Sequence, residues 1–232
     1  VLVFYQKSCD RLAVQSRGTE GLTELAAEVA TAKERMVASA AQLTEQRKAA
    51  ATRLAAAVEE KLQRLGMQEA SFAITFDEVP LSSSGGDSVV YEISANPGVA
   101  PMPIKQVASG GELSRIMLAI KTSLASGDTI GTLFFDEVDA GIGGAVAVSV
   151  AEELRALSGR TQIVVITHLA SIASYADHHL VVHKEVESGV SRSKITEVSG
   201  EARTKEVARM LSGDAQSAES LEHASLLLHQ RD

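Results

Sequence analysis

The sequence predicts an α/β fold with a mainly parallel sheet, preceded by one helical strand of an antiparallel coiled coil. Three observations carry this. Apolar residues recur every seven positions from Leu22 to Ala57. Two apolar runs, Leu133-Phe134-Phe135 and Ile163-Val164-Val165-Ile166, each end at residues able to do chemistry. From Gly111 onward, helix-type and strand-type periods alternate, as in parallel sheets with covered faces. The predicted division is a coiled-coil arm over 1–66 and a globular part over 67–232.

Residues 1–19 hold Leu2, Val3, Phe4 and Tyr5 and a Ser16-Arg17-Gly18 break, and no element is assigned to them. From Glu20 to Leu65 the chain has no aromatic residue, no proline and one glycine. Leu22, Val29, Met36, Leu43, Ala50 and Ala57 form one seam, with Leu25 and Ala32 between them. That second seam decays to Ser39, Gln46 and Arg53, while Leu54, Val58, Leu62 and Leu65 take up a stripe of different phase. Such a slip is expected where a coiled coil enters a globular head. Seven acidic and seven basic residues balance along the segment, as on a solvated helix pair. The plainer alternative is an amphipathic helix of a bundle, but a lone helix this long would expose its apolar stripe. Phe72, Ile74, Phe76 and Val89, Tyr91, Ile93 then alternate around a flexible loop at 81–87, a β-hairpin pattern. All four prolines fall between 80 and 103 and mark an irregular connection. The expected order after that is helix 112–125, strand 131–135, helix 144–157, strand 161–166, helix 169–174, strand 178–183, and two covering helices in the tail.

Composition limits the function classes. With 232 residues, 45% of them hydrophobic, the chain can build a core, and its single cysteine, Cys9, permits no internal disulfide. No apolar run reaches the roughly 18–20 residues of a membrane span, and no signal peptide opens the chain. A net charge of −8 argues against a generic cationic nucleic-acid binder, although a local basic patch is compatible with it.

Chemistry gathers at four places. Ser109-Gly110-Gly111-Glu112 opens a helix whose free N–H groups and positive dipole end can grip a phosphate. Its plain reading is a capping box, Ser109 paired with Glu112. Asp136 and Glu137 end a buried-type strand, the place where an α/β sheet holds ligands. One carboxylate there can orient a metal ion of a nucleotide complex and the other a water molecule. A merely solvated acidic strand end is the competing reading. Asp139 follows two residues later, and His168 ends the next apolar run. His178, His179 and His183 invite a metal site, but no cysteine or well-spaced carboxylate completes one, so solvent-edge or core histidines are expected.

The order Ser-Gly-Gly-Glu, apolar-Asp-Glu, Asp139, His168 resembles the second half of an ABC-type ATPase head. The strings Gly110-Gly111-Glu112-Leu113-Ser114-Arg115, Phe135-Asp136-Glu137-Val138-Asp139-Ala140-Gly141-Ile142 and Ile166-Thr167-His168-Leu169 are similar to DNA-repair members of the SMC-like class. The resemblance covers roughly residues 20 to 212. It implies the C-terminal lobe of the head, with ATP and Mg²⁺ as cofactors. It implies a signature loop (Ser109, Gly110, Gly111, Glu112) that serves the nucleotide of an opposite head. It implies Mg²⁺ held through Asp136, a catalytic Glu137, a dimer-contacting Asp139 and a switch histidine, His168, on the γ-phosphate. A P-loop, G-x-x-x-x-G-K-[ST], occurs nowhere in the sequence, and the nearest string, Gly127 to Thr132, has no lysine. The expected partners are therefore an N-terminal P-loop lobe of the same protein, a second copy joined through ATP, and DNA, with no membrane and a cytoplasmic, nucleoid location. On this reading the chain begins partway along the coiled coil and, lacking the P-loop, is inactive alone. Two competing readings are a coiled-coil tether with a silent ATPase-like half and another SMC-like ATPase. A transporter ATPase subunit fits poorly, because residues 20–65 have no place in one.

Overall fold

Helix α1 (Leu2–Arg64) is one uninterrupted helix of 63 residues, continuous through the expected break at 16–18. The computed structural model describes residues 2–124, 130–187 and 190–229. The chain forms two compact units, Val1–Ala51 with Thr75–Val90, and Thr52–Ile74 with Tyr91–Asp232. After α1 come β1 (Ser71–Ser82), β2 (Gly85–Ser94) and β3 (Met102–Pro103), which form a three-stranded sheet in that order.

In the first unit the heptad stripe faces outward, with Leu22, Leu25, Val29 and Met36 exposed. Farther along, Thr44 donates its hydroxyl to Asp87 Oδ1 at 2.7 Å and Arg47 Nη1 donates to Asp87 Oδ2 at 2.9 Å. These two donors, the Thr44 hydroxyl first, hold the Asp87 carboxyl below its ordinary pKa. The hairpin is tighter than the sequence implies. Only Ser83 and Ser84 separate the strands, because Gly85 takes a positive φ of 106° that closes the turn.

The second unit is built on the root of α1. Val58, Leu62 and Leu65, the residues of the shifted stripe, are fully buried against Ile116, Leu118, Ala119, Val138, Ala147 and Val150. Those partners belong to α2 (Gly110–Ser123), the turn after β4 (Thr132–Phe135), and α3 (Gly144–Ser158). The root also carries a charged clamp. Glu153 of α3 is buried, and its carboxylate receives Lys61 Nζ at 2.8 Å and Arg64 Nη1 at 2.9 Å.

Strand β4 pairs in parallel with β5 (Gln162–Val165), with Phe135 beside Val165. Leu133, Phe135, Ile163 and Val165 face the core, whereas Phe134 is 75% and Ile166 62% exposed on the other face. A short helix α4 (Ala170–Ala173) follows β5, and α5 (Gly200–Ser212) and α6 (Ala218–His229) close a second cluster around Val207, Ala208 and Ala224. Among the described residues no helix is long and apolar enough to cross a membrane.

The last strand departs from expectation. Strand β6 (His179–Glu187) does not extend the parallel sheet but pairs antiparallel with β7 (Val190–Val198), a strand the sequence reading lacks. Only two residues join them, and a parallel pairing would need a crossover of about a dozen or more. Among the described residues the parallel sheet therefore has two strands.

The clamp and the bare face differ in their sensitivity to substitution. Glu153→Gln should lower the unfolding free energy by roughly 1–3 kcal/mol, less than a fully buried pair because Lys61 and Arg64 can reach water. Phe134→Ser should change it by less than about 0.5 kcal/mol, since so little of that ring is buried. Urea unfolding of both variants checks the contrast.

Candidate functional site

Because β4 and β5 run in the same direction, both open into one edge, and the Ile166 N–H donates to Phe135 O at 3.0 Å just where they end. This brings Asp136 and Glu137, which follow β4, beside Thr167 and His168, which follow β5. The start of α2 reaches the same edge, so Ser109, Gly110, Gly111, Glu112, Asp136, Glu137, Asp139 and His168 gather at one end of the second unit.

Ser109 is the N-cap of α2, and its hydroxyl accepts the Glu112 N–H at 3.4 Å. The capping reading of this string is therefore realised. It does not exhaust the site, because the two glycines have a separate cause. A Cβ on Gly110 would run into the Glu137 carboxylate, and one on Gly111 would stand 2.7 Å from Ala140 Cβ and 3.0 Å from Glu137 O. The turn after β4 thus lies directly on the first turn of α2, and only glycine lets it approach so closely.

That turn is held by donors from α2. Ser114 Oγ donates to Asp136 O at 2.6 Å, and Arg115 Nη1 donates to Ala140 O at 2.9 Å and Val138 O at 3.5 Å. Arg115 is buried, which lowers its pKa, while Glu112 one turn away acts in the opposite sense. Among the described residues its Nε has no hydrogen-bond partner. Glu137 is the one non-glycine residue with positive φ, 54°, among the described residues. Its N–H donates to Asp136 Oδ1 at 2.9 Å, and its carbonyl accepts Ala140 N–H at 3.0 Å. Those bonds hold a conformation that costs a non-glycine residue about 1–3 kcal/mol. Both carboxylates are exposed at the site mouth.

Asp139 turns inward. It is 4% exposed, and its Oδ2 accepts the Thr167 hydroxyl at 2.5 Å and the His168 N–H at 2.8 Å, with His168 Nδ1 at 3.0 Å. Within this chain its contacts are to the loop after β5, and the His168 imidazole projects into solvent, 72% exposed. Chemically the arrangement offers an exposed carboxylate pair, a capped helix N-terminus and an imidazole fixed through its backbone.

Of the histidines at 178–183, His178 and His183 are exposed and His179 is half-buried. His178 Nδ1 lies 2.8 Å from Glu197 Oε1, and burial beside Arg203 lowers the pKa of His179. Among the described residues no group of three or more His, Cys, Asp or Glu could hold a metal ion. The string Gly127 to Thr132 lies in part outside the described residues. Sequence reasoning missed Ser114 and Arg115 as parts of the site. Both stand in the string Gly110 to Arg115 that carries the resemblance, but their partners lie 22 to 25 residues away, so the string assigns them no contact.

No family model matches the chain. It is 51% identical over 178 residues to the DNA repair protein RecN of Treponema pallidum (strain Nichols), covering 74% of this chain and 31% of that protein. It is 35% identical over 227 residues to the DNA repair protein RecN of Rickettsia conorii, covering 98% of this chain and 42% of that protein. The chain thus spans about a third to two-fifths of the length of the curated relatives it matches. Among solved structures it resembles the Smc head domain with a coiled coil and joint from Pyrococcus yayanosii. The TM-score is 0.50 at 23% identity, covering 72% of this chain and 30% of that one, a likeness of fold.

The backbone at Glu137 yields a stability test. Glu137→Gly should raise the unfolding free energy by about 0.5–1 kcal/mol, because glycine adopts that φ freely and offsets part of the gain through its own chain entropy. Gly111→Ala should lower it, because the new methyl meets the backbone of residues 137–140. Opposite shifts in the thermal midpoint are expected.

Proposed function

The chain belongs with the RecN proteins, the SMC-like ATPases whose C-terminal part it matches, and from that premise we propose that it forms half of an ATP-hydrolysing head used in DNA double-strand break repair. ATP joins two such heads and hydrolysis parts them, in a cycle coupled to DNA. What carries this reading is one observation: Ser109 to Glu112, Glu137 and His168 meet at a single sheet edge, although 59 residues separate Ser109 from His168.

Each residue has a role that its position supports. Asp136 uses Oδ1 on the Glu137 N–H, and its other oxygen can hold a magnesium ion through water. A single carboxylate suits that ion, which keeps most of its waters and takes the rest of its ligands from phosphates. The ion supplies neutralisation of phosphate charge. Glu137, aimed outward by its positive φ, orients the attacking water and takes its proton. His168 donates a hydrogen bond to the γ-phosphate, and Asp139 fixes the direction of its backbone. The N–H groups of Gly110 and Gly111, with the Ser109 hydroxyl and Glu112, form the cap over phosphates carried by the opposite head. Asp139 lies on the turn that such a head would meet.

The phosphate-binding loop comes from the N-terminal lobe of the complete protein, since no such string occurs in this sequence. The bare face at Phe134 and Ile166 supports docking of that lobe. So does a groove of about 1040 Å³ lined by Val164 of β5, Ile166 just after it, and Leu180 and Val182 of β6. The exposed stripe of α1 supports pairing with a second helix as a coiled coil. A cytoplasmic, nucleoid location goes with that function.

In the full-length protein, Glu137→Gln should leave ATP binding intact and slow hydrolysis by about 10²–10⁴-fold, trapping an ATP-bound dimer. Single-turnover kinetics with light scattering tests it, and wild-type turnover would remove Glu137 from the mechanism. Ser109→Arg should spare ATP binding but abolish ATP-dependent pairing by its bulk. Mixing it with heads whose P-loop is inactivated should restore a measurable fraction of turnover, because one composite site is then intact. Full, concentration-independent activity of Ser109→Arg alone is the contrary result.

A further inference from the structure

Arg115 has no part in the chemistry just assigned, yet its placement is costly. A buried guanidinium is tolerated only when its charge is well solvated by the protein. The described residues supply no carboxylate hydrogen-bonded to it, and its Nε is unpartnered. What Arg115 holds are two peptide carbonyls, those of Val138 and Ala140. These are the residues on either side of Asp139. The Val138 carbonyl belongs to the peptide that enters Asp139 and the Ala140 carbonyl to the peptide one residue beyond it, so holding both braces the turn on each side of Asp139 and hence the direction in which its side chain leaves. That direction carries Oδ2 to the Thr167 hydroxyl and the His168 N–H.

We propose that Arg115 is a positioning residue that holds the carbonyls flanking Asp139, aims that carboxylate at Thr167 and His168, and so ties the loop opening α2 to the loop ending β5. Arg115 stands in the second turn of α2, behind Ser109, Gly110 and Gly111. Any displacement of the α2 N-terminus is thereby passed through one side chain to Asp139 and from there to His168. The catalytic consequence rests on the function proposed above, but the positioning itself does not. A merely structural arginine would stabilise the fold without distinguishing the His168 backbone from any other.

The test uses the full-length protein and hydrogen exchange read on the peptide containing His168, beside peptides from α3 and α5 as references. Arg115→Met should speed exchange of the His168 amide by about tenfold while the reference peptides keep wild-type rates. Asp139→Asn should give the same local effect, and the double variant should be no faster than either, because both act through one hydrogen bond. Arg115→Lys, which keeps a charged donor on a shorter side chain than the one whose Nη1 holds both carbonyls, should fall between wild type and Arg115→Met, and it serves as the probe if the methionine variant does not fold. ATP turnover is measured alongside, with kcat expected to fall and KM for ATP to hold. Unchanged protection at His168 in the folded variant, or additive effects of Arg115 and Asp139 substitutions, overturns the proposal. Absence of turnover in the wild-type protein would overturn the assigned function and leave the exchange result to decide on Arg115.

Discussion

The turn at 137–140 rests on the first turn of α2 with no room for a side chain between them, and the rest of the site follows from that contact. A turn leaving the buried end of a strand carries backbone carbonyls that need donors. α2 supplies them with Ser114 to residue 136 and Arg115 to residues 138 and 140. The absence of a side chain at Gly111 lets the two backbones come this close. Once the turn is held, Asp139 points inward and organises the end of the neighbouring strand, while Glu137 is forced outward with a positive φ. One close approach therefore sets the direction of two side chains, Asp139 and Glu137.

Much of this was legible beforehand, and the boundary between what was and what was not is physical. The slip in helical phase at Leu54, Val58, Leu62 and Leu65 marked the root of α1, and three of those four residues are fully buried. Apolar runs ending in polar residues marked β4 and β5, because a strand buried on one face leaves a continuous apolar signature. Strand β7 escaped notice because Ser191, Arg192, Ser193 and Lys194 are polar, and the pairing with β6 owes more to the short connection than to hydrophobicity. The buried charges were invisible for another reason. Glu153 finds Lys61 across 92 positions, and Arg115 finds Ala140 across 25, distances at which no local pattern operates.

Two costly features of the fold act differently. The Glu153 clamp joins α1 to α3 through charges that gain little net stability, but it admits few other ways of seating one helix on the other. Glu137 stores strain in its backbone and is held by the bonds of its own turn. The first favours a unique arrangement; the second keeps a carboxylate facing outward that a relaxed backbone would turn elsewhere.

The exposed face of the β4–β5 pair has a consequence for the chain's life before assembly. Among the described residues the parallel sheet has two strands and is weak by itself, and Phe134 and Ile166 present bulky apolar groups beside edges that can template pairing with other chains. While that surface is uncovered, it is the sort of patch on which newly made chains cluster and which chaperones engage. The order of synthesis then becomes a form of protection. Under the docking proposed above, the covering segment shields the sheet best when it is already folded as β4 and β5 emerge from the ribosome.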